Sequence, residues 1–139
     1  MFIFRKIVLG AIFLLTLFTL GQSALANQNY EDVNQFYKNT VDKKEYEEYS
    51  NSKTKVRELV IVRKLPDLID TISWGDEKGK QRLKEEVVSD AKDINSEGLV
   101  YFFFSLKDTG NKVSYKYALF NADTKKPIST AESDWVKQK

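Results

Sequence analysis

Apolar positions follow a helical spacing through the first two-thirds of the chain's polar body and a strand spacing after it. Tyr30, Val33, Phe36, Tyr37 and Val41 recur at three- and four-residue intervals, which predicts a helix packed along one side. Tyr46 and Tyr49 can continue that stripe, and Ser50-Asn51-Ser52 reads as a loop able to cap the next element. Segment 53–64 fits two patterns. Val56, Leu59, Val60 and Arg63 suit a helix, while the run Leu59-Val60-Ile61-Val62 suits a buried strand. We read it as a helix.

Pro66 belongs in the first turn of a further helix, because proline has no amide hydrogen to give to a helix interior. Leu65, Leu68, Ile69 and Ile72 supply that helix with an apolar face, and Trp74-Gly75 closes it. Segment 78–94 carries Leu83, Val87, Ala91 and Ile94 at near-fourfold spacing between charged residues, a one-sided helix that stops before Gly98.

Beyond Gly98 the period changes to two. Thr109-Gly110 predicts a hairpin tip, with glycine supplying the positive φ. Centring the turn there sets Leu106 opposite Val113, Phe104 opposite Tyr115, Phe102 opposite Tyr117 and Val100 opposite Leu119. That face is wholly apolar or aromatic, so it should meet the helices. The reverse face runs from Lys107, Lys112, Ser105 and Ser114 at the tip to Phe103, Lys116, Tyr101, Ala118, Leu99 and Phe120 at the base. Residues 127–131 predict a third strand, with Pro127 at its start or on a sheet edge. Residues 132–139 are polar apart from Trp135-Val136, a pair placed to clamp the tail. The expected fold is α+β and two-layered: N-terminal amphipathic helices on one face of a C-terminal antiparallel meander of about three strands.

The first 26 residues change the charge picture. Arg5 and Lys6 precede an uncharged run from Ile7 to Leu20, and Ala24 and Ala26 end the segment as an Ala-x-Ala cleavage site. The run is shorter than the roughly 20 apolar residues a spanning helix needs. We therefore read residues 1–26 as a cleavable secretory signal and 27–139 as one small domain with no membrane span after cleavage. Arg5 and Lys6 are the signal's only charges, so the formal +2 of the whole chain leaves with it. A neutral mature chain has no field drawing it to nucleic acid. Localisation is expected to be periplasmic or secreted.

The chain contains no histidine and no cysteine. That removes His-assisted nucleophiles, thiolates and the usual zinc, copper and haem ligands. The glycines lack the spacing of a phosphate-cradling loop, and no calcium loop is present. No cofactor is expected.

The functional expectation is a small non-catalytic binding or accessory protein. It would act on an unknown protein partner, or on a small apolar ligand through a small apolar pocket. The candidate patch is Tyr101, Phe103, Phe120 and Lys116 on the reverse hairpin face, rimmed also by Lys112, since contiguous exposed apolar area marks interaction surfaces. The core reading, in which other parts of the chain cover those rings, stands beside it. Trp74 and Trp135 invite the same two readings, buried ring or ligand contact. The alternative function is a small carboxylate-dependent hydrolase.

Overall fold

The computed structural model describes residues 29–137; the leader expected over 1–26 lies outside them. Asp32 starts the first element. Its carboxylate accepts the backbone N–H groups of Asn34 and Gln35 at 2.9 and 3.2 Å, capping helix α1 (Val33–Asn39). An irregular segment leads to strand β1 (Thr54–Ile61) and a short 3-10 turn, Val62–Lys64. Helix α2 (Leu65–Asp70) follows with Pro66 in its first turn, then helix α3 (Glu77–Asp90). Strands β2 (Leu99–Asp108), β3 (Lys112–Asn121) and β4 (Pro127–Val136) complete the chain. The four strands form one antiparallel sheet in the order β1-β2-β3-β4. Pro127 is both the first residue of β4 and on the sheet edge, where its missing N–H breaks no ladder.

The α+β class holds, with four strands where about three were expected, and the fourth is segment 53–64, read above as a helix. Thr54–Ile61 of that segment pairs with β2, Val56 opposite Phe104 and Val60 opposite Val100, and Val62–Lys64 is the 3-10 turn. Its β-branched residues suit a pleated surface. The alternation that marks a strand is blurred because both sides of this sheet are covered, so apolar residues are wanted on both.

That double covering is the second correction: the helices do not share one face. Phe102, Phe104, Tyr115 and Tyr117 point to α2 and α3, joining Leu65, Ile69, Leu83, Val87 and Ala91 in one buried cluster. The reverse face meets α1 instead. Phe36 stacks on Tyr101 at 3.9 Å between centroids and meets Phe120 edge-on at 5.4 Å. Tyr37 and Tyr46 lie against Phe103 at 5.4 and 6.1 Å.

The hairpin register also differs, and the difference leaves every face assignment intact. Phe104 pairs with Tyr117 and Leu106 with Tyr115, each two residues along from the expected partner. Thr109 N–H donates to the Lys112 carbonyl at 2.9 Å, so the central turn residues are Gly110 and Asn111. Gly110 has φ +96°. A positive φ at the first central position is the type II′ pattern, which puts glycine first rather than second in the turn. A shift of two keeps each side chain on its face; a shift of one would have inverted them.

Polar bonds set the height of α3 over the sheet. Tyr115 Oη donates to Glu86 Oε1 at 2.8 Å and Tyr117 Oη to Asp90 Oδ2 at 2.5 Å. Four helical residues rise about 6 Å and two strand residues about 6.6 Å, so the two tyrosine–carboxylate pairs match in spacing. Burial, reinforced by those carboxylates, pushes both phenols well above their ordinary pKa and keeps them protonated donors.

The reverse cover is strapped down by side chains. Arg57 forms a two-pronged pair with Glu48, Nε–Oε2 2.6 Å and Nη2–Oε1 2.8 Å, and donates to Asn34 Oδ1 at 2.9 Å. The Tyr37 ring has the Lys43 ammonium 3.8 Å and the Arg57 guanidinium 4.1 Å from its centroid. Ser105, fully buried in a greasy strand, accepts the Tyr49 backbone N–H at 3.0 Å.

The Phe103 ring carries much of this second core. Phe103→Ala should lower unfolding stability by about 3–5 kcal/mol. Chemical denaturation of the purified variant checks this; a loss under about 1 kcal/mol would mean that the ring is not the packed centre described.

Candidate functional site

The expected patch is interior. Tyr101 and Phe103 are fully buried and Phe120 is 2% exposed, all beneath α1 and the segment after it. The structure does bring the rings together, with Phe103 and Phe120 edge-to-face at 5.9 Å, but as core. Lys116 is half-buried; it donates to the Glu47 carbonyl at 3.1 Å and lies 4.4 Å from the centre of the Tyr49 ring. It fastens the cover. Lys112 pairs with Asp134 at 3.2 Å.

An open cleft lies elsewhere, where the start of α3 meets the hairpin tip and the end of β4. It is about 540 Å³, and its lining includes Lys53, Trp74, Gly75, Asp76, Lys78, Gly79, Arg82, Asp108, Val113, Trp135, Val136 and Lys137. That volume falls in the range of small-molecule sites.

Each wall has a local cause. Asp76 caps α3 by accepting the Gly79 N–H on Oδ1 at 3.1 Å, and its Oδ2 accepts the Trp135 indole N–H at 2.9 Å. One carboxylate thus starts the helix and aims the ring. Trp135 and Trp74 lie 5.6 Å apart at 33°, and Tyr115 meets both edge-on at 5.7 and 5.5 Å. Gly79 explains itself by what stands over it. A Cβ there would lie 2.6 Å from Trp135 Cζ2 and 2.7 Å from Trp74 Cζ2. Glycine inside a helix costs about 1 kcal/mol against alanine, and here it lets both indoles close on the helix. The Trp74 indole N–H is buried and has no hydrogen-bond partner among the described residues.

Charge gathers at the rim. Asp108 Oδ1 accepts the Gly110 N–H at 2.9 Å, while Oδ2 faces Lys137 Nζ at 3.0 Å and Lys53 Nζ at 3.4 Å. The Gly110 N–H, then the Lys137 ammonium, hold this carboxyl down to about 2, so it stays ionised. The Arg82 guanidinium sits 5.4 Å from the centre of the Trp135 ring. Val136 is 67% exposed, more open than Val88, the other exposed large hydrophobic among the described residues.

Sequence reasoning singled out the two tryptophans and missed their frame. Gly79 inside a one-sided helix was the available signal for close ring packing. Nothing in a linear reading joins Asp108 to Lys137 or Arg82 to Trp135, because those pairs form only once β4 lies beside β3. Comparison with protein-family models, curated proteins and solved structures gives no match to this chain.

Two predictions follow from the geometry. Gly79→Ala must push the indoles apart and should cost about 1–3 kcal/mol, with a change in tryptophan emission; an unchanged melting curve and spectrum would refute the packing. Asp108 has a folded pKa below its unfolded value near 4, so its contribution is present above that value and drains away as pH falls through about 2. Asp108→Asn should therefore flatten the acid limb of the stability–pH curve between those limits. An acid limb identical to the parent's would contradict the assigned contacts.

Proposed function

We propose that this is an exported, non-catalytic binding protein, and that it takes a small ligand in the Trp74–Trp135 cleft. The observation that carries the reading is a formed recess with two indoles in its wall and an exposed valine at its mouth. Ligand sites set apolar and aromatic side chains beside placed polar groups, and here Trp74, Val113, Trp135 and Val136 share the lining with six charged residues. The cleft's carboxylates are engaged in structure, Asp76 on a helix end and an indole, Asp108 on a turn and two lysines. Those engagements favour binding over hydrolysis, which needs one carboxyl free to give up a proton.

Export rests on the leader pattern at 1–26. Among the described residues no helix is long and apolar enough to cross a membrane.

The chain has only two tryptophans, both in the cleft, so its indole N–H resonances report on this one place. A diverse panel of small organic compounds should contain binders that shift both signals, and Val136→Asp should weaken those binders roughly tenfold. A panel with no compound that moves either signal would overturn the cleft as a binding site. Sequencing the N-terminus of the protein recovered outside the cytoplasm should give Asn27 first; a membrane-held product still beginning at residue 1 would overturn export.

A further inference from the structure

We propose that the ligand of the Trp74–Trp135 cleft is a small organic anion: a flat apolar body bearing one carboxylate, phosphate or sulfonate. This rests on the cleft being the binding site and adds the sign of what it binds. The argument is the imbalance of charge at the rim. Lys78 and Arg82 stand one helical turn apart on α3, and among the described residues neither has a carboxylate within ion-pair distance. On the other side Lys53 and Lys137 share the single carboxylate of Asp108. The remaining acid, Asp76, is turned to the Trp135 indole and the α3 backbone. Four cations thus face two carboxylates, both already bonded.

The position of that surplus matters as much as its sign. The Arg82 guanidinium lies over the Trp135 ring, 5.4 Å from its centre, so an anion paired with that fork is held beside the indole. Guanidinium matches the two oxygens of a carboxylate or phosphate with two donors. The surplus of positive charge around the recess draws in anions and repels cations. A neutral sugar would use the indole and leave the cations unanswered; an amine would meet them head-on.

The test uses protein purified after expression from its full coding sequence, in low salt, with phenylacetate, phenethyl alcohol and phenethylamine as matched probes. Phenylacetate should shift both indole N–H signals saturably, and phenethylamine at equal concentration should leave them in place. The double substitution Lys78→Glu and Arg82→Glu should weaken phenylacetate at least tenfold, and high salt should weaken it in the parent. Both substituted residues are exposed, and unchanged backbone amide signals in the cover over Tyr101 and Phe103, away from the cleft, will show that the fold is kept. Where that control fails, Arg82→Gln replaces the double variant, with a weakening of about threefold or more expected and none overturning the proposal. Shifts that ignore probe charge, or a charge reversal without effect, would overturn the anion assignment and leave the cleft standing. Silence from all three probes would overturn both.

Discussion

A central strand that is dry on both sides governs this molecule. The first eight residues of β2 are all buried, and a strand sends alternate side chains to opposite faces. Neither face of the sheet can therefore be left to water, and two separate covers are required. Helices α2 and α3 supply one. The other comes from far away in sequence: α1 and the irregular segment that follows it, laid across Tyr101, Phe103 and Phe120. With so little regular structure in that second cover, its hold depends on placed polar bonds. Ser105 takes its backbone N–H, Lys116 its carbonyl, and Arg57 its buried carboxylate Glu48.

The first cover creates the recess. Tyr115 and Tyr117 tie α3 to the sheet through Glu86 and Asp90, and this fixes where the N-terminal end of α3 emerges. That end carries Gly79, whose missing side chain lets Trp74 and Trp135 approach. The rings seal the edge of the core but do not fill the corner between α3, the hairpin tip and the last residues of β4. Packing and site are thus one arrangement. The same Asp76 carboxylate that begins the helix holds the indole that walls the cleft.

Much of this was legible in the spacing of residues. The hairpin's two faces, the helix bearing Leu83 and Val87, the proline in a first turn and the proline on an edge follow from period and backbone chemistry. The hairpin register slipped because a Thr-Gly pair does not say whether glycine is the first or second turn residue; the faces survived because the slip was even. Strand β1 was misread for a deeper reason. Leu59, Val60 and Ile61 are apolar in succession because both sides of the sheet are covered, and a continuous run erases the alternation that separates strand from helix. The patch around Tyr101 failed for the same cause: two-layer packing was assumed, and the second cover lay in α1. The cleft was illegible beyond its tryptophans, since its walls come from the link before α3, the hairpin and the final strand.

The second cover has a consequence for how the chain is made. Phe36 is placed near the beginning, yet its packing partners Tyr101 and Phe120 are among the later residues to be synthesised. Tyr49 likewise bonds Glu132, close to the end. Until those residues exist, the early segment has nothing to lie upon, and loop closure over most of the chain must precede its docking. Docking of that early segment is therefore a late event in folding, one that waits for the strands it covers.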